Sequence, residues 1–442
     1  KGSSSMRGEG DVVGIAIAVK NWAGYYPIAH ESGPNLERAK VLGWFQDVLK
    51  TKAVKIFHNA IYDLCWIHRL GLTVNGTIID TMIITSVVDE NRFRYDLNSV
   101  SQDYTGIGKN ETALQDAAKE WGVDPKSEMY KLPAMYVGEY AEQDANLTLK
   151  LWQEMKKQMY HEDVEDIFKL ETELFPCLVD MRFLGVRVDT EAAYTLKQQL
   201  IEEEKECLQK IKKETSVDVQ IWAARSIEKV FQKLNLPYDL TAKTRSPSFT
   251  KNFLQNHPHP LVKQIARARE INKSHTTFID TILKHQHKGR IHAEINQIRS
   301  DSGGTVTGRF SYNNPNLQQI PARNKELGPR IRSLFIPEEG CQWGCFDYSQ
   351  QEPRLVTHYA SLDGLYGVDE VLNSYNEGEA DFHQIVSDMA DIPRDQAKTI
   401  NLGLFYGMGK NKLQAELGVS KEDAEGLFRT YHDKVPFVKM LM

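Results

Sequence analysis

Short apolar runs separated by turn residues dominate the first sixty positions of the chain. The runs Val12 to Val19, Tyr25 to Ile28 and Val54 to Phe57 each predict a strand. A helical spacing of apolar positions from Leu36 to Leu49 lies between the second and the third of these strands. Because strands alternate with helices, the pattern predicts a mixed α/β domain.

Helical periodicity replaces the strand pattern from Tyr136 to about Phe183. The stretch Leu184 to Asp189 then indicates a helix end followed by a short extended segment. The charged stretch Thr190 to Thr215 predicts a long helix. The later segments are predicted as a polar loop at 240–248, a helix from 257–260 through Arg269, a strand at 289–297, a glycine-rich loop at 300–308 and a strand-like run at 342–346. We expect domain boundaries near residues 165, 190, 290 and 365.

Composition places the chain among soluble globular proteins. Its 442 residues are 41% hydrophobic and 26% charged, which excludes collagenous and disordered chains. No apolar run is long enough to cross a membrane, and five scattered cysteines do not form a disulfide framework. We therefore expect a reduced, cytoplasmic protein that binds no membrane.

Charge is unevenly distributed along the chain. The formal net charge is −6, yet residues 219–335 hold 19 Lys and Arg against 7 Asp and Glu, a local balance of +12. A basic segment inside an acidic chain is typical of a polyanion-binding surface. Solvated helix faces would produce the same pattern, so charge alone leaves both interpretations open.

Two acidic clusters in the first part of the chain have the chemistry of a phosphodiesterase. The segment Asn59 to Asp63 follows a predicted strand, and Tyr140 and Asp144 are i, i+4 neighbours on a predicted helix. Carboxylates on two elements can hold divalent ions, and a phenol can orient the attacking water. Either cluster has an ordinary alternative, because Asn and Asp cap helices and a Tyr–Asp pair is common on surfaces.

A second group of motifs indicates nucleotidyl transfer. On a helix, Arg394, Lys398 and Leu402 share one face, so that two cations can bind a triphosphate and the third side chain can contact a base or sugar. Asp347 follows a strand-like run and is a suitable ligand for a triphosphate-bound Mg²⁺. The motifs follow one another as Thr307 to Ser311, Asn316 to Pro321, Phe346 to Arg354 and Arg394 to Gly407.

In this order and spacing the motifs resemble the family A (DNA polymerase I-like) DNA polymerases that carry a 3′–5′ exonuclease, in their bacteriophage form more than in their cellular form. The resemblance covers nearly the whole chain. It implies an α+β, multidomain protein in which an RNase H-like α/β exonuclease precedes a right-hand polymerase. The implied domains are the exonuclease at 1–165, the start of the palm at 166–190, a helical thumb at 191–290, an incomplete palm at 291–365 and helical fingers at 366–442.

The resemblance also implies roles for particular residues. Catalytic and metal-binding roles fall to Asp347, Asp63 and Asp144, with Tyr348 contributing a carbonyl to the metal, Tyr140 orienting water and Asn59 accessory. The implied dNTP contacts are Arg394, Lys398, His383, Glu352, Leu402, Tyr406 and Gln350. The implied DNA contacts are Arg309, Asn316, Gln319 and Lys273.

The implied activity is template-dependent addition of dNTPs to a primer 3′-OH by a monomer, with proofreading and two Mg²⁺ ions (or Mn²⁺) in each active site. Its partners are primer–template DNA and dNTPs. An Asp-x-Glu strand is not found before Val12, and a second polymerase carboxylate is not found after the fingers motif. We therefore expect a fragment in which both active sites are incomplete. An exonuclease, or a DNA-binding fragment without polymerase activity, stays open as the alternative.

Two further patterns favour ordinary explanations. Gly303 to Arg309 has the glycine spacing of a phosphate-binding loop but lacks its Lys-Ser/Thr ending. The histidines at 257, 259, 285, 287 and 292 have no cysteines beside them, which argues against a zinc site. Leu402 differs from the Phe or Tyr of most family members, and Gln351 and Pro353 replace apolar residues around Glu352.

Overall fold

The computed structural model describes residues 5–241, 243–299, 303–322, 324–378, 381, 383–384, 387–388 and 392–441, without the side chains of 395, 396 and 399. The chain forms two units, residues 1–342 and 343–442. No helix of the described residues combines the length and the apolarity that a membrane crossing requires. The five predicted domains are a finer division than these two units, and their boundaries remain predictions.

The first part of unit one is the mixed α/β arrangement that the apolar pattern predicts. Its elements are β1 (Gly14–Val19), β2 (Trp22–Pro27), α1 (Arg38–Lys50), β3 (Lys55–Phe57), α2 (Ala60–Arg69), β4 (Ile78–Asp80), α3 (Thr81–Val88), α4 (Leu97–Thr105), α5 (Thr112–Trp121) and α6 (Ala134–His161). The three predicted strands and the first helix are therefore confirmed.

The strands of this part form two separate pairs. β1 and β2 are antiparallel, with Ile15 opposite Tyr26. β3 and β4 are parallel, with Phe57 opposite Asp80, so that their carboxyl ends lie at the same edge. Helix α6 packs across β1, β2 and β3, and buried apolar side chains of α2, α3 and α6 form one core. Residues that follow β3 and β4 are thereby placed beside one another.

The rest of unit one is mainly helical. Its elements are α7 (Glu165–Glu173), α8 (Phe175–Leu184), β5 (Val186–Val188), α9 (Thr190–Thr215), α10 (Ala224–Lys233), β6 (Asp239–Leu240), β7 (Pro247–Ser248), α11 (Lys251–Asn256), α12 (Pro260–Lys273), α13 (Asp280–His285), β8 (Gln286–His287), β9 (Arg290–Ile291), β10 (Glu294–Asn296), β11 (Ser311–Asn313), α14 (Leu327–Arg332) and β12 (Phe335–Ile336). Helix α9 has the predicted bounds, and the Asp189 side chain accepts the Ala192 N–H at its start. Helices α9 and α12 pack together around a second core.

Two predicted segments of this region differ from the structure. The predicted strand at 289–297 is divided into β9, in the sheet of order β12-β5-β9-β8, and β10, which pairs with β11. Between them, the buried His292 ring hydrogen-bonds the Arg182 carbonyl oxygen at 2.9 Å, and the chain changes sheets there. The predicted loop at 240–248 contains the short pair β6 and β7.

Part of the positive charge in the basic segment is neutralised within the protein. Arg267 pairs with Glu203 at 3.7 Å and also with Glu326. Arg330 pairs with the same Glu203 at 2.8 Å, and Arg290 pairs with Glu338 at 2.6 Å. The basic segment is therefore less positive at its surface than its residue count indicates.

Unit two is a helical body with its own core. Its helices are α15 (Gln351–Leu362), α16 (Val368–Asn376), α17 (Arg394–Phe405), α18 (Lys410–Leu417), α19 (Lys421–Lys434) and α20 (Pro436–Leu441). Their buried side chains form one apolar cluster. Pro353 lies in the first turn of α15, where a proline is tolerated because its missing N–H would have no helical partner.

The strand predicted at 342–346 is wrong. These residues have no regular structure and are exposed, and Phe346 is 98% exposed. A strand is stabilised by hydrogen bonds to a neighbouring strand. Among the described residues no strand pairs with this segment, so its apolar pattern alone does not make it a strand.

Candidate active sites

The first candidate site lies where β3 and β4 end. Asn59, between β3 and α2, has a left-handed backbone with φ of 65°. The buried Asp80 carboxylate accepts the N–H groups of Asn59 at 3.0 Å, Ala60 at 2.7 Å and Met82 at 2.8 Å. Asp80 therefore joins the turn before α2 to the turn before α3. The sequence analysis missed it, although an aspartate that ends a strand-like Ile-Ile run was a usable signal.

The Asp63 carboxyl group in the first turn of α2 is close to Asp80. Burial raises the pKa of Asp63 to about 7, and the negative charge of Asp80 contributes to this rise. Burial also raises the pKa of Asp80, to about 6, although its backbone hydrogen bonds favour the ionised form. Two neighbouring acids that both resist ionisation form a site where a cation would relieve repulsion.

Tyr140 and Asp144 lie on α6, one helical turn apart as predicted, and both face Lys109. The Lys109 Nζ is 2.7 Å from Asp144 Oδ2 and 3.4 Å from the Tyr140 hydroxyl oxygen. It is also 5.1 Å from the centroid of the Tyr140 ring. The other carboxylate oxygen, Asp144 Oδ1, is buried without a hydrogen-bond partner among the described residues. Lys109 is a residue that the sequence analysis missed, because it is 35 positions from Asp144 in the chain.

The contacts around Asp144 indicate whether this site could bind a metal ion. One carboxylate oxygen of Asp144 is buried without a partner among the described residues, and the other is paired with the ammonium group of Lys109. Both features fit a metal cation bound at Asp144. No three Asp, Glu, His or Cys side chains of the described residues gather around one point. The donor set thus fits a cation at Asp144 but does not form a complete two-ion site.

A cavity of about 880 Å³ opens beside Tyr140 and Lys109. Its other basic lining residues are Arg94, Lys126 and Arg299. Phe93, which is 84% exposed, also lines it. Two acidic residues, Asp96 and Glu111, line the cavity as well, so its four basic residues leave an excess of positive charge. Cations and an exposed ring are the groups that bind single-stranded nucleic acid, so this charge agrees with a polyanionic ligand.

The second candidate site is on α17 in unit two. Ala397, Ile400 and Leu404 of this helix are buried in the core. The predicted face is on the other side, where Arg394 and Lys398 are exposed and Leu402 is half-buried outside the core cluster. The predicted helix and its division into two faces are therefore confirmed, while the roles of the side chains remain predictions.

A charged and hydrogen-bonded group lies around the start of α17. Arg394 pairs with Asp381 at 2.7 Å. Burial acts to raise the pKa of Asp381, but hydrogen bonds and the charge of Arg394 outweigh it and hold the pKa below its usual value. His383, predicted as a phosphate contact, is buried, with Nδ1 3.3 Å from the amide nitrogen of Asn401. Burial lowers the pKa of His383; the charge of Asp381 opposes this, and the charges of Arg394 and Lys398 add to it.

Helix α15 begins beside the end of α17. The Tyr406 hydroxyl donates to Glu352 Oε1 at 2.8 Å, which joins two predicted nucleotide contacts. The Tyr375 hydroxyl donates to Gln350 Oε1 at 3.3 Å. The Arg354 guanidinium lies 4.5 Å from the centroid of the Tyr375 ring. The sequence analysis missed this arginine–tyrosine pair, although Arg354 lies inside a motif it identified.

Asp347 and Tyr348, the predicted polymerase metal contacts, lie in the irregular segment before α15. Both are exposed, and the described residues gather no second set of ligands around Asp347. The described residues therefore do not assemble a polymerase metal site around Asp347.

The four predicted DNA contacts, Lys273, Arg309, Asn316 and Gln319, are all exposed in unit one. The Asn316 side chain accepts the Gln318 N–H at 3.0 Å and so begins the short helical turn Leu317–Gln319. The side-chain oxygen of Asn316 thus has a hydrogen-bond partner within the protein, and the residue itself is exposed. The DNA-binding roles of these residues remain predictions.

Comparison with known proteins gives consistent matches over both units. A model described as DNA polymerase family A matches residues 190–442, and one described as 3′-5′ exonuclease matches residues 2–160. The DNA-directed DNA polymerase of Pseudomonas phage M6 is 33% identical over 430 residues, covering 92% of this chain and 64% of that protein. The DNA polymerase DpoZ of Acinetobacter phage SH-Ab 15497 is 32% identical and covers 85% of this chain and 65% of that protein. The chain thus spans less than two thirds of the length of these relatives.

A solved structure shows the same fold. The polymerase domain of Pol1 from M. smegmatis, in complex with DNA primer-template and dNTP, has a TM-score of 0.74 and 22% identity, covering 97% of this chain and 71% of that chain. Domains of the two matched kinds generally depend on divalent metal ions. The matches confirm the predicted fold class, a mixed α/β exonuclease domain followed by a polymerase domain.

Proposed function

Because this chain belongs to DNA polymerase family A and carries a 3′-5′ exonuclease domain, we propose that it acts in the template-directed addition of dNTPs to a primer 3′-OH, with a linked proofreading exonuclease. Its ligands would be primer–template DNA and dNTPs. The observation that carries the proposal is the exposed face of α17, where Arg394 and Lys398 lie one helical turn apart.

The side chains of unit two would bind and orient the nucleotide. Arg394 and Lys398 would donate to triphosphate oxygens, since charge-assisted hydrogen bonds are short and strong. Leu402, one turn further along α17, would contact the base or sugar. The Glu352–Tyr406 hydrogen bond, 2.8 Å long, would hold both side chains in position beside the sugar and the templating base.

In the exonuclease domain, Asp144 and Asp63 would hold Mg²⁺ or Mn²⁺. A bound ion would supply Lewis-acid activation of the phosphodiester and of water. Tyr140 would orient the attacking water through its hydroxyl group, which faces the same space as Asp144. The cations around the 880 Å³ cavity would bind the backbone of the single strand that ends at this site.

Nucleotide binding by the 442-residue chain tests the proposal. We expect the double variant Arg394→Ala/Lys398→Ala to bind dNTPs about 100-fold more weakly, because each lost hydrogen bond to a charged group costs about 1.5–3 kcal/mol. Equilibrium titration with a fluorescent dNTP analogue measures this. Lys412→Ala, which removes an exposed cation of α18, should bind like the wild type. A change of less than threefold in the double variant would contradict the proposal.

The alternative, an exonuclease or DNA-binding chain without synthesis, is favoured by the isolated position of Asp347 among the described residues. Primer extension by the 442-residue chain in MgCl₂ separates the two. Extension that Asp347→Asn abolishes supports the polymerase. Binding of primer–template DNA without extension supports the alternative for this chain.

A further inference from the structure

Lys109 is held in place by the backbone around it. It lies in the loop between α4 and α5, where its N–H donates to Asn98 Oδ1 at 2.8 Å. The next residue, Asn110, donates its N–H to Gln143 Oε1 at 2.7 Å, directly before Asp144 on α6. The loop is therefore hydrogen-bonded to α4 and to α6, and the Lys109 side chain reaches Asp144 from it.

The contact between the two side chains is sheltered from solvent. The Lys109 side chain is 16% exposed and the Asp144 side chain is 25% exposed, with 2.7 Å between Nζ and Oδ2. An ion pair in such a place is much less screened by water and salt than a surface pair. Removing the ammonium group leaves a partly buried carboxylate without its cation, which is unfavourable unless another cation replaces it.

We propose that Lys109 is the resident counter-ion of the exonuclease carboxylate Asp144 and competes with the divalent metal ion for it. This inference rests on the proposed exonuclease function. A divalent ion that binds Asp144 must displace the ammonium group or bind beside it against its positive charge. Either process lowers the affinity of the site for metal, so the lysine sets the metal concentration at which the exonuclease becomes active.

The displaced ammonium group has a second place to bind. Lys109 and Tyr140 line the same cavity as Arg94, Lys126 and Arg299. When a metal ion takes Asp144, the Lys109 side chain joins these cations and can donate to a phosphate oxygen of a strand in the cavity. Metal binding would in this way convert a closed ion pair into a phosphate contact.

Metal binding without DNA tests the proposal. Titration calorimetry with MnCl₂ on the 442-residue chain gives the affinity of the site, and Asp144→Asn identifies the heat that belongs to it. We expect Lys109→Met to bind Mn²⁺ about tenfold more tightly than the wild type. Lys109→Arg keeps the charge and should stay within threefold of the wild type. Lys126→Met, which removes a cation of the same cavity, should also stay within threefold.

Thermal unfolding shows whether the methionine variant is folded. In EDTA, Lys109→Met should melt below the wild type, and MnCl₂ should raise its melting temperature more than it raises that of the wild type.

Unchanged or weaker Mn²⁺ binding by a folded Lys109→Met variant overturns the proposal, as does the absence of an Asp144-dependent binding heat in that variant. If Lys109→Met leaves the affinity unchanged while Asp144→Asn removes it, the counter-ion role fails but the metal site of the exonuclease stands. If Asp144→Asn changes neither metal binding nor cleavage of single-stranded DNA, the proposed exonuclease function fails as well.

Discussion

The charged side chains of the two candidate sites differ in how they are stabilised. At the ends of β3 and β4, Asp80 accepts three backbone N–H groups, and on α6 Asp144 is paired with Lys109. On α17, Lys398 is exposed to solvent, and Arg394 is also exposed but pairs with Asp381 at 2.7 Å. Buried charges must be compensated inside the protein, whereas exposed charges keep their hydration until a ligand replaces it. We therefore expect changes at the first site to alter stability and metal binding, and changes on α17 to alter ligand binding with little effect on stability.

The largest expected effect on stability is at Asp80. Asp80→Ala removes the acceptor of the N–H group of Ala60, which is buried, and of those of Asn59 and Met82, which are partly buried. A buried N–H group left without an acceptor costs about 1–3 kcal/mol. We expect the free energy of unfolding to fall by about 3 kcal/mol or more, measured by urea denaturation with circular dichroism. The exposed Asp116→Ala on α5 should change it by less than about 0.5 kcal/mol. A cost below about 1 kcal/mol at Asp80 would show that this carboxylate does not hold the two turns together.

The second prediction is that the ionisation of Asp63 makes the free energy of unfolding depend on pH. Its pKa is about 7 in the folded chain and about 3.9 when unfolded, so between these values the folded state keeps a proton that the unfolded state has released. Stability therefore falls as the pH rises through this window. Asp63→Asn removes this effect and should be about 2 kcal/mol more stable than the wild type at pH 8. One pKa unit corresponds to about 1.4 kcal/mol, and the expected difference is smaller than the full rise in the pKa of Asp63 would give because the neighbouring acid titrates together with it.

Urea unfolding in EDTA between pH 4 and pH 8 measures this difference. It should shrink toward zero near pH 4, where the carboxyl group is protonated in the folded chain and about half protonated in the unfolded chain. The exposed Asp116→Asn serves as the matched control and should show no trend. A stability difference that is independent of pH would mean that Asp63 ionises normally in the folded chain.

The smallest expected effect is at Leu402. The side chain is half-buried and outside the core cluster of unit two, so Leu402→Phe would add a ring on the face that we propose binds the nucleotide. An aromatic contact adds about 0.5–1.5 kcal/mol beyond area burial, which corresponds to roughly 2- to 13-fold tighter dNTP binding. Leu402→Tyr should in addition place a hydroxyl group near the sugar and ease the acceptance of nucleotides that lack a 3′-OH.

Fluorescent dNTP titration and a melting curve on the same protein check this prediction. Overpacking of a core costs about 1–3 kcal/mol. A lower melting temperature with unchanged dNTP affinity would therefore place Leu402 in the core of unit two and not on its binding face. Leu417→Phe, at a position that packs against that core, provides the reference for the overpacking result.

Features that rest on local contacts could be predicted from the amino-acid sequence. Helix α9 begins at Thr190 and ends at Thr215 as predicted, because a helix is stabilised by hydrogen bonds and side-chain contacts between residues four positions apart. The Arg394 and Lys398 face follows from the same spacing. The turn from β3 into α2 and the Tyr140–Asp144 pair were also predictable, since each depends on a few neighbouring residues.

Contacts between residues that are distant in the chain could not be predicted from the sequence. Asp80 meets Asn59 across 21 positions and Lys109 meets Asp144 across 35. Neither spacing carries a periodic signal, because such contacts depend on how strands pair and helices pack. The dependence on distant partners also explains why two strand predictions differ from the structure. The segment 342–346 has no partner among the described strands, and the segment 289–297 is divided between two sheets. A strand exists through hydrogen bonds to another segment, so its own residues indicate a strand but are not sufficient to determine it.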